Sequence, residues 1–173
     1  TLDSLMHYAR FLNTGSLAID SRSGAVLSWI GGINFKYFKY DHISQSRRQV
    51  GSTFKPIVYT AALESGIDPC QHFSAREVRY ENLEDWTPSN SGDKDEAYLN
   101  YSMQAALQNS VNTVAVKVLE QTGIPQVVAQ ARAMGIDAPL PEKPSLALGT
   151  GSIGIPELAG AYASFVNQSR PVT

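Results

Sequence analysis

Gly51-Ser52-Thr53-Phe54-Lys55-Pro56, followed by the apolar run Ile57 to Leu63, decides how the rest of the chain is read. The run predicts a helix over Ser52–Leu63. Pro56 is compatible with it, because a first-turn amide has no earlier helical acceptor to lose. Gly66 ends the segment and Asp68-Pro69 continue the turn. Residues three apart on a helix share a face, so the Ser52 hydroxyl and the Lys55 amine point the same way. A lysine tuned by burial and polar neighbours accepts a serine proton, and a helix N-terminus favours the negative charge that develops. Taken alone, the pair favours a plainer reading: serine is a common helix cap and lysine a common helix residue.

The flanking sequence sets the frame. Leu5, Met6, Ala9 and Leu12 predict a short amphipathic helix over residues 3–12. Ser16–Asp20 and Ala25–Ile30 read as two strands around a Ser21–Gly24 turn, and Gly31-Gly32 break the second. Tyr37, Phe38 and Tyr40 predict a loop that packs its aromatics over a cleft or the core. Val78 and Tyr80 suggest a short extended stretch, ahead of the loop Trp86–Gly92. Helices are expected around Ser102–Leu107, Thr113–Leu119, Pro125–Met134 and Ile155–Val166, with Gly123 and Gly135 as stops. Residues 137–152 read as loop.

At 173 residues, 43% hydrophobic and 17% charged, the chain has the composition of one globular domain. Fourteen basic against sixteen acidic residues leave a net charge of -2, which gives no support for nucleic-acid binding. Arg47-Arg48 read either as a solvated turn or as a pair that positions acidic ligand groups. Cys70 is the sole cysteine, so no internal disulfide forms; it is expected as a small buried or half-buried residue. His7, His42 and His72 are too scattered to suggest a metal motif. There is no signal peptide and no apolar run of about 18 residues that would cross a membrane. The chain starts without Met and stops after an apparent helix, which reads as an excised piece of a longer protein.

Ser110-Val111-Asn112 changes the weighing of the serine motif. It lies between two expected helices, where a bend aims a hydroxyl and an amide at the end of the Ser52 helix. Ser110 could relay a proton to a leaving group, while Asn112 could hold a peptide amide and fix Lys55. The plain alternative has Asn109 and Ser110 capping the next helix with Asn112 exposed.

With both motifs in this chain order, the sequence resembles the transpeptidase domain of penicillin-binding proteins, most of all the bifunctional class A peptidoglycan synthases. The match runs through Gly24–Leu27 with Gly31-Gly32, Arg47–Pro56, Trp86–Asn90, Ala105–Asn112, Leu148–Thr150 and Ala159–Phe165, nearly the whole chain. The resemblance implies an α/β (α+β) fold of the serine β-lactamase and transpeptidase type, with helices flanking an antiparallel sheet. Residues 1–173 would form part of that domain, without its later strands.

By the same resemblance, Ser52 is the nucleophile, Lys55 its general base and Ser110 the second catalytic hydroxyl. Asn112, Trp86, Asn90 and Thr150 contribute to binding of the substrate. The implied reaction is D,D-transpeptidation of peptidoglycan stem peptides through a serine ester, with β-lactams as covalent inhibitors and neither cofactor nor metal. Hydrolysis of the D,D-carboxypeptidase or β-lactamase type is one alternative, and a non-catalytic peptidoglycan-binding or scaffolding module is another. The family also uses a later Lys-Thr/Ser-Gly strand, which does not occur in this sequence; Gly149-Thr150-Gly151 lacks its lysine. A further segment, or a second chain, is expected to complete the sheet. Other cell-wall synthesis proteins are expected partners, and the parent is expected at the extracytoplasmic face of a bacterial inner or plasma membrane.

Overall fold

The computed structural model describes residues 14–36, 38–81, 85–91, 99–167 and 172. The helix expected over residues 3–12, and Tyr37, lie outside them. The fold is mixed α/β, with small two-stranded sheets and flanking helices. It divides into two compact units: residues 1–47 with 154–173, and residues 48–153.

In the first unit, β1 (Ser16–Ile19) and β2 (Val26–Ile30) pair antiparallel, with Ser16 opposite Ile30 and Leu17 opposite Trp29. The turn between them is built by Asp20. Its carboxylate accepts the Ser23 amide at 2.7 Å and the Arg22 amide at 3.1 Å, an Asx arrangement that closes the chain on itself. Gly24 completes the turn at a φ of 76°, where glycine alone carries no Cβ penalty. All five residues of β2 are exposed, Leu27 to 70%. Among the described residues, β2 pairs along one edge only. An apolar strand with a bare edge is a template for another strand.

Among the described residues the helix of this unit is Ile155–Ala163, shorter than expected, because the chain tightens into turns after Ser164. In the aromatic loop, Phe38 stays 55% exposed while its ring stacks on His42, 6.2 Å between centroids. Tyr40, half-buried, meets the buried His42 edge-on at 4.8 Å between centroids.

The second unit is organised around two helices, α1 (Lys55–Glu64) and α3 (Asn112–Thr122). Phe54, Ile57, Val58 and Ala62 from the first region meet a core that also holds Val114, Val116, Val118 and Leu119 of α3, all fully buried. Burial of each larger apolar side chain contributes roughly 1.5–3 kcal/mol before chain entropy is counted. Between them lie α2 (Met103–Gln108) and, after α3, α4 (Ile124–Ala133).

Two short strands that the sequence did not signal, His72–Ser74 and Asn100–Ser102, pair antiparallel with Phe73 opposite Tyr101. The extended stretch expected near Val78 reduces to one bridge between Tyr80 and Trp86. Cys70 is exposed rather than buried. It sits in the turn after α1, where the Asp68 carboxylate accepts its amide at 2.7 Å and holds the backbone on the surface.

Candidate active site

Ser52 lies in a 3-10 turn, Gly51–Phe54, that runs directly into α1. The expected helix is thus a tight turn followed by an α-helix, and Lys55 is the first α-helical residue. The turn is held by close backbone packing. Gly51 has a φ of 58°, and its amide donates to the Gly149 carbonyl at 3.0 Å. A Cβ added to Gly149 would overlap the Gly51 backbone, so glycine is required there by space as well as by its φ of 69°. Thr53 secures the turn by donating its hydroxyl to the Val50 carbonyl at 2.6 Å. The result separates neighbours sharply: Ser52 is exposed, while Phe54 and Lys55 are buried, Lys55 to 1% exposure.

A buried ammonium needs an acceptor for each of its three N–H groups. Lys55 has them. Its Nζ donates to the Ser110 carbonyl at 2.6 Å, to the Ser110 hydroxyl at 2.9 Å and to Asn112 Oδ1 at 2.6 Å. Burial nevertheless pushes its pKa down to about 8, because loss of water disfavours the charged form. Among the described residues, the Ser52 hydroxyl has no hydrogen bond.

Ser110 reaches Lys55 twice because of how α2 stops. The Val111 amide donates back to Ala106 O at 2.9 Å and the Ser110 amide to Leu107 O at 3.0 Å. This is a Schellman ending, which needs a left-handed residue at its centre. Ser110 takes that place with a φ of 54°. Glycine does so without cost, whereas an L-residue is destabilised by roughly 1–2 kcal/mol. The strained backbone presents both Ser110 oxygens to the lysine.

Asn112, the first residue of α3, is held on its other side too. Its amide nitrogen donates to the Ser89 carbonyl at 2.9 Å. The next residue of that loop, Asn90, is engaged by Thr113: the Thr113 amide donates to Asn90 Oδ1 at 3.1 Å. Trp86 belongs to a separate contact, packing its ring on Tyr80 at 5.5 Å, while the Tyr80 hydroxyl donates to Glu120 at 2.9 Å. Thr150 follows the Gly149 that abuts Gly51, and its hydroxyl lies 3.3 Å from that of Ser145.

The structure therefore joins Lys55, Ser110 and Asn112 directly and links Asn112 to the 86–91 loop. Ser89 and Thr113, which sequence reasoning passed over, belong to this arrangement. Neither has a local signal, because a backbone carbonyl acts in one case and a buried threonine in the other.

Residues 14–168 match the family model described as the penicillin binding protein transpeptidase domain. The chain belongs to this family. It is 34% identical to penicillin-binding protein 1A of Aquifex aeolicus, over 88% of this chain and 21% of that protein. It is 32% identical to penicillin-binding protein 2D of Bacillus subtilis, over 99% of this chain and 25% of that one.

The crystal structure of penicillin-binding protein 1A from Haemophilus influenzae superposes with a TM-score of 0.81 at 29% identity, covering 88% of this chain and 23% of that one. The chain thus spans between about a fifth and a quarter of these curated relatives. It is homologous to the class A penicillin-binding proteins, within a family generally linked to peptidoglycan cross-linking and β-lactam binding. Among the described residues no helix is long and apolar enough to cross a membrane.

Proposed function

We propose that this chain supplies the nucleophile and base of a serine acyl transferase that cross-links peptidoglycan stem peptides and is trapped by β-lactams. The supporting observation is the buried Lys55, with a pKa lowered to about 8 and fixed by Ser110 and Asn112, one turn beyond an exposed serine hydroxyl.

The chemistry follows from counting protons. As an ammonium, Lys55 has three N–H groups and three acceptors, so it has no lone pair to offer. As an amine it has two N–H groups, which the two obligate acceptors, Ser110 O and Asn112 Oδ1, take up. The lone pair is then left for a hydroxyl, that of Ser110 at 2.9 Å in the resting site and, in the proposed reaction, that of Ser52. Ser52 Oγ attacks the carbonyl carbon of the penultimate D-alanine as its proton passes to Lys55. The carbonyl oxygen becomes negative beside the Ser52 backbone amide, at a helix start where an amide lacks a helical acceptor.

The C–N bond then breaks, and the leaving D-alanine takes its proton through the Ser110 hydroxyl. The amine of a second stem peptide attacks the serine ester, forms the cross-linking amide and restores Ser52. A β-lactam opens its ring on the same serine, and its amine stays tethered to the ester.

Asn112, Trp86 and Thr150 are assigned to the peptide-binding side of this site. The complete protein is placed at the extracytoplasmic face of the membrane, where stem peptides and other cell-wall synthesis proteins are found. Incubation of the complete protein with a labelled penicillin, followed by peptide mass analysis, tests the proposal. An acyl group on Ser52 is expected; labelling elsewhere, or none, would overturn it. Product analysis with a stem-peptide donor and acceptor then separates transfer from hydrolysis: D-alanine release without cross-linked product would replace transfer by carboxypeptidase action.

A further inference from the structure

The start of α3 has a defect that its own sequence cannot mend. The residue at its N-cap is Val111, which has no side-chain oxygen for the free amides of the first turn. A serine, threonine, aspartate or asparagine at that place would accept from the second or third helical residue. The second helical residue is Thr113, buried to 1% exposure, so water cannot serve its amide.

Asn90, from a loop more than twenty residues earlier in sequence, fills the gap. Its Oδ1 accepts the Thr113 amide at 3.1 Å and its Nδ2 lies 3.3 Å from the Thr113 hydroxyl, which donates to Ala75 O at 3.0 Å. One residue away on each strand of this contact, Asn112 donates to Ser89 O. Ser89-Asn90 and Asn112-Thr113 therefore grip each other at two adjacent points.

We propose that Asn90 is a positioning residue for acyl transfer: it caps α3 from outside the helix and so fixes the Asn112 that holds Lys55. This rests on the Ser52–Lys55 reading above. Without the Asn90 acceptor, the buried Thr113 amide has no partner and the first turn frays. Asn112 Oδ1 then no longer fixes the Lys55 amine, which it accepts from at 2.6 Å. Asn90 itself need not touch the peptide substrate.

Asn90→Ala and Asn90→Asp in the complete protein distinguish these roles. Aspartate keeps the acceptor, and its negative charge suits a helix N-terminus. The readouts are the limiting rate of penicillin acylation, the dissociation constant of the preceding non-covalent complex, and amide exchange of the peptide containing Thr113. Asn90→Ala is expected to slow limiting acylation by about tenfold, the scale of a lost cap, and to speed exchange at the Thr113 amide. The dissociation constant should stay within about twofold, and Asn90→Asp should recover acylation to within about threefold.

A weakened non-covalent complex with an unchanged limiting rate would overturn the proposal and make Asn90 a ligand contact. Unchanged Thr113 exchange would also overturn it. If Asn90→Ala does not fold, Asn90→Asp decides alone, because a ligand-contacting amide donor would be lost in it while the cap remains. Wild-type protein unlabelled at Ser52 would remove the acyl-transfer reading and the positioning role together, while Thr113 exchange would still report on the cap.

Discussion

Helix α1 stops at Gly66 and α2 stops at Ser110 with the same backbone bonds. At Gly66, Ile67 donates to Ala62 O and Gly66 to Leu63 O, both at 3.0 Å; at Ser110, Val111 and Ser110 make the equivalent pair. Gly66 has a φ of 85° and open space where a Cβ would stand, so its ending is finished locally at no cost. Ser110 accepts left-handed strain to make the same turn. Helix starts divide in the same way. Ser102 caps α2 by accepting the Ala105 amide at 3.2 Å, whereas α3 has Val111 at its cap and depends on Asn90. The two ends away from Lys55, at Gly66 and Ser102, follow the local rules. Those that hold Lys55 break them, and the broken rule is what brings an oxygen to the lysine.

The largest effect should come from the group these ends converge on. Lys55→Met should slow penicillin acylation of Ser52 by about 10²–10⁴-fold, the range for removal of a general base. Stopped-flow or quench measurement with a labelled penicillin reads it directly. A loss under tenfold would mean that the surrounding helix ends are built for stability alone.

Next in size is pH. The base must be the neutral amine, and burial sets its midpoint at about 8. Acylation should therefore rise with pH through that value and level off above it, falling by about tenfold for each unit below. Folding carries the same sign: the lysine titrates lower in the folded state, so its penalty is full below pH 8 and fades as pH rises toward the unfolded value. A rate independent of pH between 6 and 9 would take Lys55 out of the proton transfer.

The Ser110 turn yields a smaller effect that separates strain from chemistry. Ser110→Ala and Ser110→Gly both delete the hydroxyl, and they differ in the penalty for a left-handed backbone. The glycine variant should be the more stable by about 1 kcal/mol in urea unfolding, while both lose acylation to the same extent. Gly66→Ala should cost about the same 1 kcal/mol and leave acylation unchanged, because the added methyl meets nothing. Equal stability of the two Ser110 variants would show that the turn is not strained.

The β1–β2 hairpin, α1, α3 and α4 were readable within a few residues, since hydrophobic spacing and Gly or Pro punctuation act over neighbouring positions. The strands at His72–Ser74 and Asn100–Ser102 were not, because three-residue segments are defined by a partner distant in sequence. Lys55, Ser110 and Asn112 could be brought together on paper by the chain order of two short motifs. The left-handed turn at Ser110 could not, for serine is an ordinary residue in most other settings. Nor could the cap of α3: nothing in the sequence around Val111 announces that its acceptor sits in the loop after Trp86.

The smallest predicted effect tests whether the local start of α2 is as replaceable as this comparison requires. Ser102 accepts one first-turn amide, and its surroundings leave it half-buried. Glycine at an N-cap lets water approach the same amide, so Ser102→Gly should cost only a few tenths of a kcal/mol. Acylation should stay within twofold, since α2 is joined to Lys55 through its far end at Ser110. Thermal unfolding and acylation rate, measured on one sample, check both halves. A stability loss above about 2 kcal/mol, or a matching fall in acylation, would mean that α2 transmits disturbance from end to end. The distinction between ordinary and site-bearing helix ends would then fail at α2.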